Sequence, residues 1–281
     1  MSYINFNGQV IPATESCIQT NDRGLTLGHG LFETILIKKA SIPALAYHWK
    51  RLEASAPIIG ISIPFSCNTL EAMLLALIEK NNLHDKIAGA RLTLTSGNSA
   101  RGILPAPGTK PNFFITVFEH VPSQKKEYSA VIVSIKKNEH ALSSRIKSTS
   151  YLDNILAKQE AVAQGYDEAI LLNTANNVAD GAITNIFIVK DKQIITPPIA
   201  DGALPGVIRN MLLEELQYAF SITEQSISVS DLLSADEVFS TNALMGVKSF
   251  TKLNTKAFNT FSVANSIGDA LSENKNYLFR S

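Results

Sequence analysis

The sequence predicts a mixed α/β fold (α+β in character) in two domains. Three observations lead there. Apolar, β-branched runs of strand length come in clusters, not in strict alternation with helices. A few stretches repeat apolar residues at three- and four-residue spacing, the mark of helices with one buried face. A polar break at residues 122–127 separates two such mixtures. The 281 residues fit this division, since roughly 150 residues make a typical domain.

The first half, residues 1–121, reads as an N-terminal α/β domain. Residues 32–37, 88–95 and 112–118 are expected strands. Between them Leu70, Met73, Leu74, Leu77 and Ile78 recur at helical spacing, which predicts an amphipathic helix over 68–81. Residues 122–127 form the expected linker, and 128–281 a C-terminal α/β domain that contains Lys147. That domain opens with a strand at 130–135. A helix over 151–164 follows, with Ser150 placed to cap it and Asp153 suited to its positive first turn. Strands are expected at 168–172, 185–190, 193–196 and 237–240. A helix over 207–220 carries Ile208, Met211, Leu212 and Leu216 on one face, and a last helix spans 263–271.

Composition excludes several functions. Lys plus Arg is 25 and Asp plus Glu is 25, so overall charge holds the chain to neither nucleic acid nor an anionic membrane. Cys17 and Cys67 are too few for a disulfide framework or a four-thiolate zinc site. With no secretory signal at the N-terminus and no apolar run of membrane-spanning length, a reduced, cytoplasmic protein is expected. Gly28-His29-Gly30 begins like a dinucleotide fingerprint, but Glu33 stands where the third glycine belongs. Phosphate-loop, zinc-protease, C-x-x-C and G-x-S-x-G patterns are missing. Histidines 29, 48, 84, 120 and 140 show no metal-ligand spacing, so no metal is expected.

What remains is a lysine and several anion-binding candidates. Lys147 precedes a predicted helix, whose positive end disfavours an ammonium ion, as burial does. Both would expose a neutral amine able to form a Schiff base. On local chemistry alone a solvated lysine is the more common outcome. Gly202-Ala203-Leu204-Pro205-Gly206 runs into a predicted helix start, where open backbone N–H groups can receive a phosphate. Thr241-Asn242 adds a hydroxyl and an amide. Arg51, in His48-Trp49-Lys50-Arg51-Leu52, has the fork that grips phosphate bidentately. Taken alone, the two loops are more often an ordinary turn and cap, and the arginine more often a surface charge.

Their order along the chain resembles the class IV pyridoxal-phosphate enzymes. The resemblance runs through Phe32-Glu33-Thr34, the Arg51 motif, Thr95-Ser96-Gly97 with Arg101-Gly102, and Lys147 with Tyr151-Leu152-Asp153-Asn154. It continues through Gly165-Tyr166-Asp167-Glu168, Thr184-Asn185-Ile186-Phe187, Leu204 to Arg209, and Glu237 to Gly246. It implies fold type IV, as in D-amino-acid aminotransferases, with pyridoxal 5'-phosphate in an interdomain cleft and a homodimer completing each site. By position it makes Lys147 the cofactor lysine and Arg51 the phosphate arginine. Leu204, Gly206, Val207 and Ile208, with Thr241 and Asn242, become further phosphate contacts. Asp180 takes the slot of the acid that faces the pyridine nitrogen, usually a glutamate.

Within the family the resemblance implies 4-amino-4-deoxychorismate lyase, which makes 4-aminobenzoate and pyruvate for folate biosynthesis. Gly246 stands where aminotransferases carry an acid. Leu152 stands where branched-chain enzymes carry a tyrosine. Ile103 replaces the histidine that D-amino-acid aminotransferases pair with an arginine at the Arg101 position. Thr34 is then the expected proton donor to the leaving group, and Arg101 a ligand for a substrate carboxylate, in one copy or across the dimer. The alternative is an aminotransferase on the same scaffold, acting on branched-chain L- or D-amino acids with 2-oxoglutarate.

Overall fold

A computed structural model describes residues 2–15, 18–123, 125 and 128–273. Cys17 and three residues of the expected linker, 124, 126 and 127, lie outside the described residues. The chain forms two compact units, Met1–Pro122 with Ile146–Ser150, and Ser123–Arg145 with Tyr151–Ser281.

The first unit is built on one antiparallel sheet. Its elements are β1 (Tyr3–Phe6), β2 (Gln9–Pro12), α1 (Arg23–Leu27), β3 (Gly30–Lys38), α2 (Leu45–Ser55), α3 (Cys67–Lys80), β4 (Ile87–Thr95) and β5 (Asn112–Glu119). The strand order is β2-β1-β5-β4-β3. Asn7 (φ 50) and Gly8 (φ 89) turn the β1–β2 hairpin. Both positions need positive φ, which asparagine and glycine tolerate best. Alternation along β3 points Leu31, Ile35 and Ile37 into a core with Leu45 and Leu52 of α2 and Leu70, Leu74 and Leu77 of α3. Ser66 caps α3 by accepting from Thr69 N, and Asn81 at its other end exchanges bonds with the Tyr3 backbone.

The expectation that Lys147 belongs to the second domain is corrected here. Phe32 N–H donates to the Lys147 carbonyl and Thr149 N–H to the Gly30 carbonyl, both at 2.9 Å. These bonds lay Ile146–Ser150 along the open edge of β3, within the first unit. Ser150 is likewise not a helix cap: its hydroxyl donates to the Gly28 carbonyl, and the next helix starts without a side-chain cap.

The second unit contains β6 (Ser129–Lys137), α4 (Leu152–Ala163), β7 (Glu168–Asn173), β8 (Val178–Gly181), β9 (Asn185–Lys190) and β10 (Gln193–Thr196). Then come α5 (Val207–Met211), α6 (Gln217–Phe220), β11 (Ile222–Glu224), α7 (Val229–Ser234), β12 (Glu237–Asn242), β13 (Gly246–Ser249), β14 (Lys252–Leu253), β15 (Lys256–Ala257) and α8 (Ser262–Glu273). Two mixed sheets result, β15-β14-β6-β7-β8 and β11-β10-β9-β12-β13. Ile170, Ile186, Ile188, Val238 and Phe250 form the core that both sheets share. Ala157 and Ala161 let α4 pack closely on Val131, Ala169 and Leu171. The helix expected over 207–220 is interrupted, because Leu212–Leu216 widens into a π-helical turn between α5 and α6.

Candidate active site

The site residues fall into two groups, one in each unit. In the first unit β3 organises the chemistry. The Lys147 ammonium lies 4.5 Å from the centre of the Phe32 ring, and the Arg91 guanidinium 3.7 Å from the same ring. Two residues on from Phe32, and so on the same row of β3, Thr34 pairs in register with Arg91 and is half-buried. The amine was expected beside a helix start; what the structure places beneath it is an aromatic face.

Glu33 projects from the other row toward α2. Arg51 Nε donates to its Oε1 at 2.8 Å and a terminal nitrogen to its Oε2 at 2.5 Å. His48 Nδ1 lies 2.6 Å from Oε2. All three side chains are buried. Burial pushes the Glu33 carboxyl up, but the Arg51 charge and hydrogen bonds, with those of His48, outweigh it and hold it at about 2. An ionised carboxylate can only accept, so His48 carries its proton on Nδ1. Burial lowers the His48 pKa against the pull of Glu33, and the Arg51 and Lys147 charges add to the lowering. The phosphate arginine of the sequence reading is thus pinned by two bonds to a carboxylate. Arg101 sits exposed in the loop after β4.

In the second unit Asn185 is the hub. Its amide nitrogen donates to Asp180 Oδ1 at 3.0 Å and to the Leu204 carbonyl at 2.8 Å. Leu204 N–H and Lys137 Nζ both donate to Asp180 Oδ2, at 3.0 and 3.4 Å. Asp180 is almost fully buried; burial raises its pKa, and the Lys137 charge opposes the rise. Gly206 has an ordinary φ of −67, so space is what demands glycine: a Cβ there would fall 1.7 Å from Asn185 Oδ1. Val207 and Ile208 are buried in the first turn of α5. On β12, Thr241 pairs in register with Asn185. Its hydroxyl is fully buried and has no hydrogen-bond partner among the described residues. Asn242 accepts from Leu244 N and Met245 N at 3.0 and 2.8 Å, closing the turn into β13.

An unsatisfied buried hydroxyl is costly. Gly206, which has no room for a side chain, lies against Asn185, the register partner of Thr241, and so bare a backbone suits the close approach of an anion. The residues of this group fit a phosphorylated cofactor. Sequence reasoning missed Asn185 and Lys137 as site residues here, and Glu33, His48 and Arg91 in the first unit. Asn185 and Glu33 stood inside the family motifs, whereas Lys137 and Arg91 carry no local signal.

Comparison with known proteins gives the family. The family described as amino-transferase class IV matches residues 30–253. A Methanocaldococcus jannaschii protein named as a branched-chain-amino-acid aminotransferase is 32% identical over 85% of this chain and 83% of its own length. The aminodeoxychorismate lyase of Bacillus subtilis is 30% identical over 89% of this chain and 86% of its own. The Escherichia coli branched-chain amino acid aminotransferase structure superposes with a TM-score of 0.88 at 26% identity, covering 96% and 92% of the two chains. The chain therefore belongs to the class IV aminotransferase family and has the fold of its members. It is an enzyme of a family whose cofactor is pyridoxal 5'-phosphate.

Proposed function

We propose that the protein is a pyridoxal-phosphate-dependent 4-amino-4-deoxychorismate lyase, releasing 4-aminobenzoate and pyruvate for folate synthesis. The observation that carries this choice is the turn from β12 to β13. Gly246 sits there at φ +65, a left-handed conformation that strains a residue with a Cβ. Aminotransferases of the family carry an acid at that place in the sequence, and this backbone disfavours one.

When bound, the cofactor supplies an electron sink next to the reacting carbon. Lys147 would hold it and, once the substrate amine has taken its place, would be free as a neutral amine to remove the proton from the substrate carbon that bears the amino group. Loss of the enolpyruvyl oxygen follows, and Thr34 delivers a proton to that oxygen. Arg51, the backbone from Leu204 to Ile208, Thr241 and Asn242 hold the phosphate. Asp180 faces the pyridine nitrogen, with Lys137 keeping a positive charge beside it. Arg101 receives a substrate carboxylate. A homodimer as the working form and a reducing cytoplasm as the compartment belong to this proposal, and a count of two cysteines is in keeping with the latter.

A second reading, an aminotransferase for branched-chain L- or D-amino acids, draws support from relatives of that name at similar identity. The test is turnover of aminodeoxychorismate followed by 4-aminobenzoate fluorescence. Rapid exchange between L-leucine or D-alanine and 2-oxoglutarate, with no 4-aminobenzoate formed, would decide for the aminotransferase.

A further inference from the structure

Arg23, in the first turn of α1, is 3% exposed, and none of the ion pairs among the described residues uses it. Burying a guanidinium without a carboxylate is costly unless its N–H groups are well used. Here Nε donates to His29 Nδ1 at 3.2 Å. The two terminal nitrogens donate to the carbonyls of Gly102 at 3.0 Å and Ile103 at 2.5 Å. Because arginine can only donate, His29 must offer a lone pair at Nδ1 and carry its proton on Nε2. That proton goes to the Ile59 carbonyl, 2.8 Å away. The backbone of Arg23 adds a bond from its N–H to the Gly97 carbonyl.

The tip of the loop so gripped is open to solvent. Arg101, Gly102, Ile103 and Leu104 are all exposed, with Ile103 83% and Leu104 78% open. On the other side, the residues flanking His29 are stitched to the Lys147 segment. The Gly28 carbonyl accepts from the Thr149 and Ser150 hydroxyls, and Thr149 N–H donates to the Gly30 carbonyl. One connected set of bonds therefore joins the Lys147 segment to the loop that carries Arg101.

We infer that Arg23, held in register by His29, is a positioning residue that fixes the Arg101 loop for substrate binding. This rests on the lyase reading, in which Arg101 receives a substrate carboxylate. Arg23 touches no reacting atom; it limits the places Arg101 can occupy, so its loss weakens substrate binding and leaves the chemical step alone.

The test compares wild type with Arg23→Gln and Arg23→Lys as holoenzymes. For Arg23→Gln, KM for aminodeoxychorismate should rise roughly tenfold, the worth of a lost charge-assisted hydrogen bond. kcat and the visible cofactor band should stay as in wild type. Trypsin should cut after Arg101 several-fold faster, because cleavage needs a segment free to leave the fold. Arg23→Lys, which can reach the carbonyls but not also His29, should fall between. Should Arg23→Gln not fold, His29→Leu removes the acceptor and should give the same split. Unchanged KM overturns the inference, whether or not cleavage quickens; so does a loss of kcat at unchanged KM. If the wild type makes no 4-aminobenzoate, the lyase reading fails by itself, while unchanged cleavage after Arg101 in the variants would still refute the anchor.

Discussion

At the scale of single residues, Lys147 is the decisive position. Lys147→Ala should abolish the visible absorbance of the holoenzyme and lower turnover by about 10² to 10⁴ or more, the range for a lost proton-transfer group. Thr34→Val keeps the shape and the β3 strand and removes only the hydroxyl. It should reduce kcat with KM little changed if Thr34 serves the leaving group; a kcat equal to wild type would return it to a purely structural role. Glu33 gives a pH prediction. Its folded-state pKa, about 2, lies below the ordinary 4.5. The stabilisation it provides is therefore complete above pH 4.5 and disappears as pH falls toward 2. Chemical denaturation across that window should show wild type losing stability more steeply than Glu33→Gln, which has no proton to bind but is less stable at pH 7. The sequence motif exposed Arg51 as a functional candidate. It could not reveal that Glu33, eighteen residues earlier, holds it, because that pairing exists only once β3 and α2 pack.

At the scale of elements, periodicity was a good guide where a helix has one buried face. The apolar spacing from Leu70 to Ile78 matches α3, and those five residues are all buried. It failed where tertiary bonds decide. Ser150 has the chemistry of a helix cap, yet its segment is recruited by the edge of β3. The π-helical turn at Leu212–Leu216 leaves an apolar pattern that an unbroken helix would share. The β1–β2 hairpin was open to prediction, since Asn7-Gly8 between short apolar runs is a strong turn signal. In the second unit, Asn185 shows how one amide can serve two elements, tying the acid at the end of β8 to the loop before α5. Gly206→Ala should push into Asn185 Oδ1 and disturb both ties. Absorbance titration should show cofactor binding weakened at least tenfold, of the order expected for losing a buried hydrogen bond to a charged group. The helix α8 offers a control at the opposite end of β12 from Thr241 and Asn242. Buried Glu237 accepts from Ser262 Oγ, Val263 N and Ala264 N at 3.0–3.1 Å, capping its first turn. Glu237→Ala should cost about 1–2 kcal/mol and lower the melting temperature with the cofactor affinity intact.

At the scale of the whole molecule, the net charge of zero means that no long-range repulsion keeps copies apart. The second unit presents an exposed apolar patch. Leu152, Ile155 and Leu156 occupy one face of α4 at helical spacing and are 64%, 50% and 42% exposed. Asn154 and Tyr151 both donate to the Ala182 carbonyl, which sets Ile183, 44% exposed, beside them. A second copy is the partner most consistent with such a patch, because a symmetric dimer needs only one self-complementary surface. Substituting Leu152 and Ile155 together by Asp leaves the packed face of α4, Ala157 and Ala161, untouched, so the fold should persist. Sedimentation should then report a dimer for wild type and a monomer for the double variant. If the two species sediment alike, with melting unchanged, the α4 face is not where copies meet, and the exposed apolar tip at Ile103 and Leu104 becomes the next surface to charge.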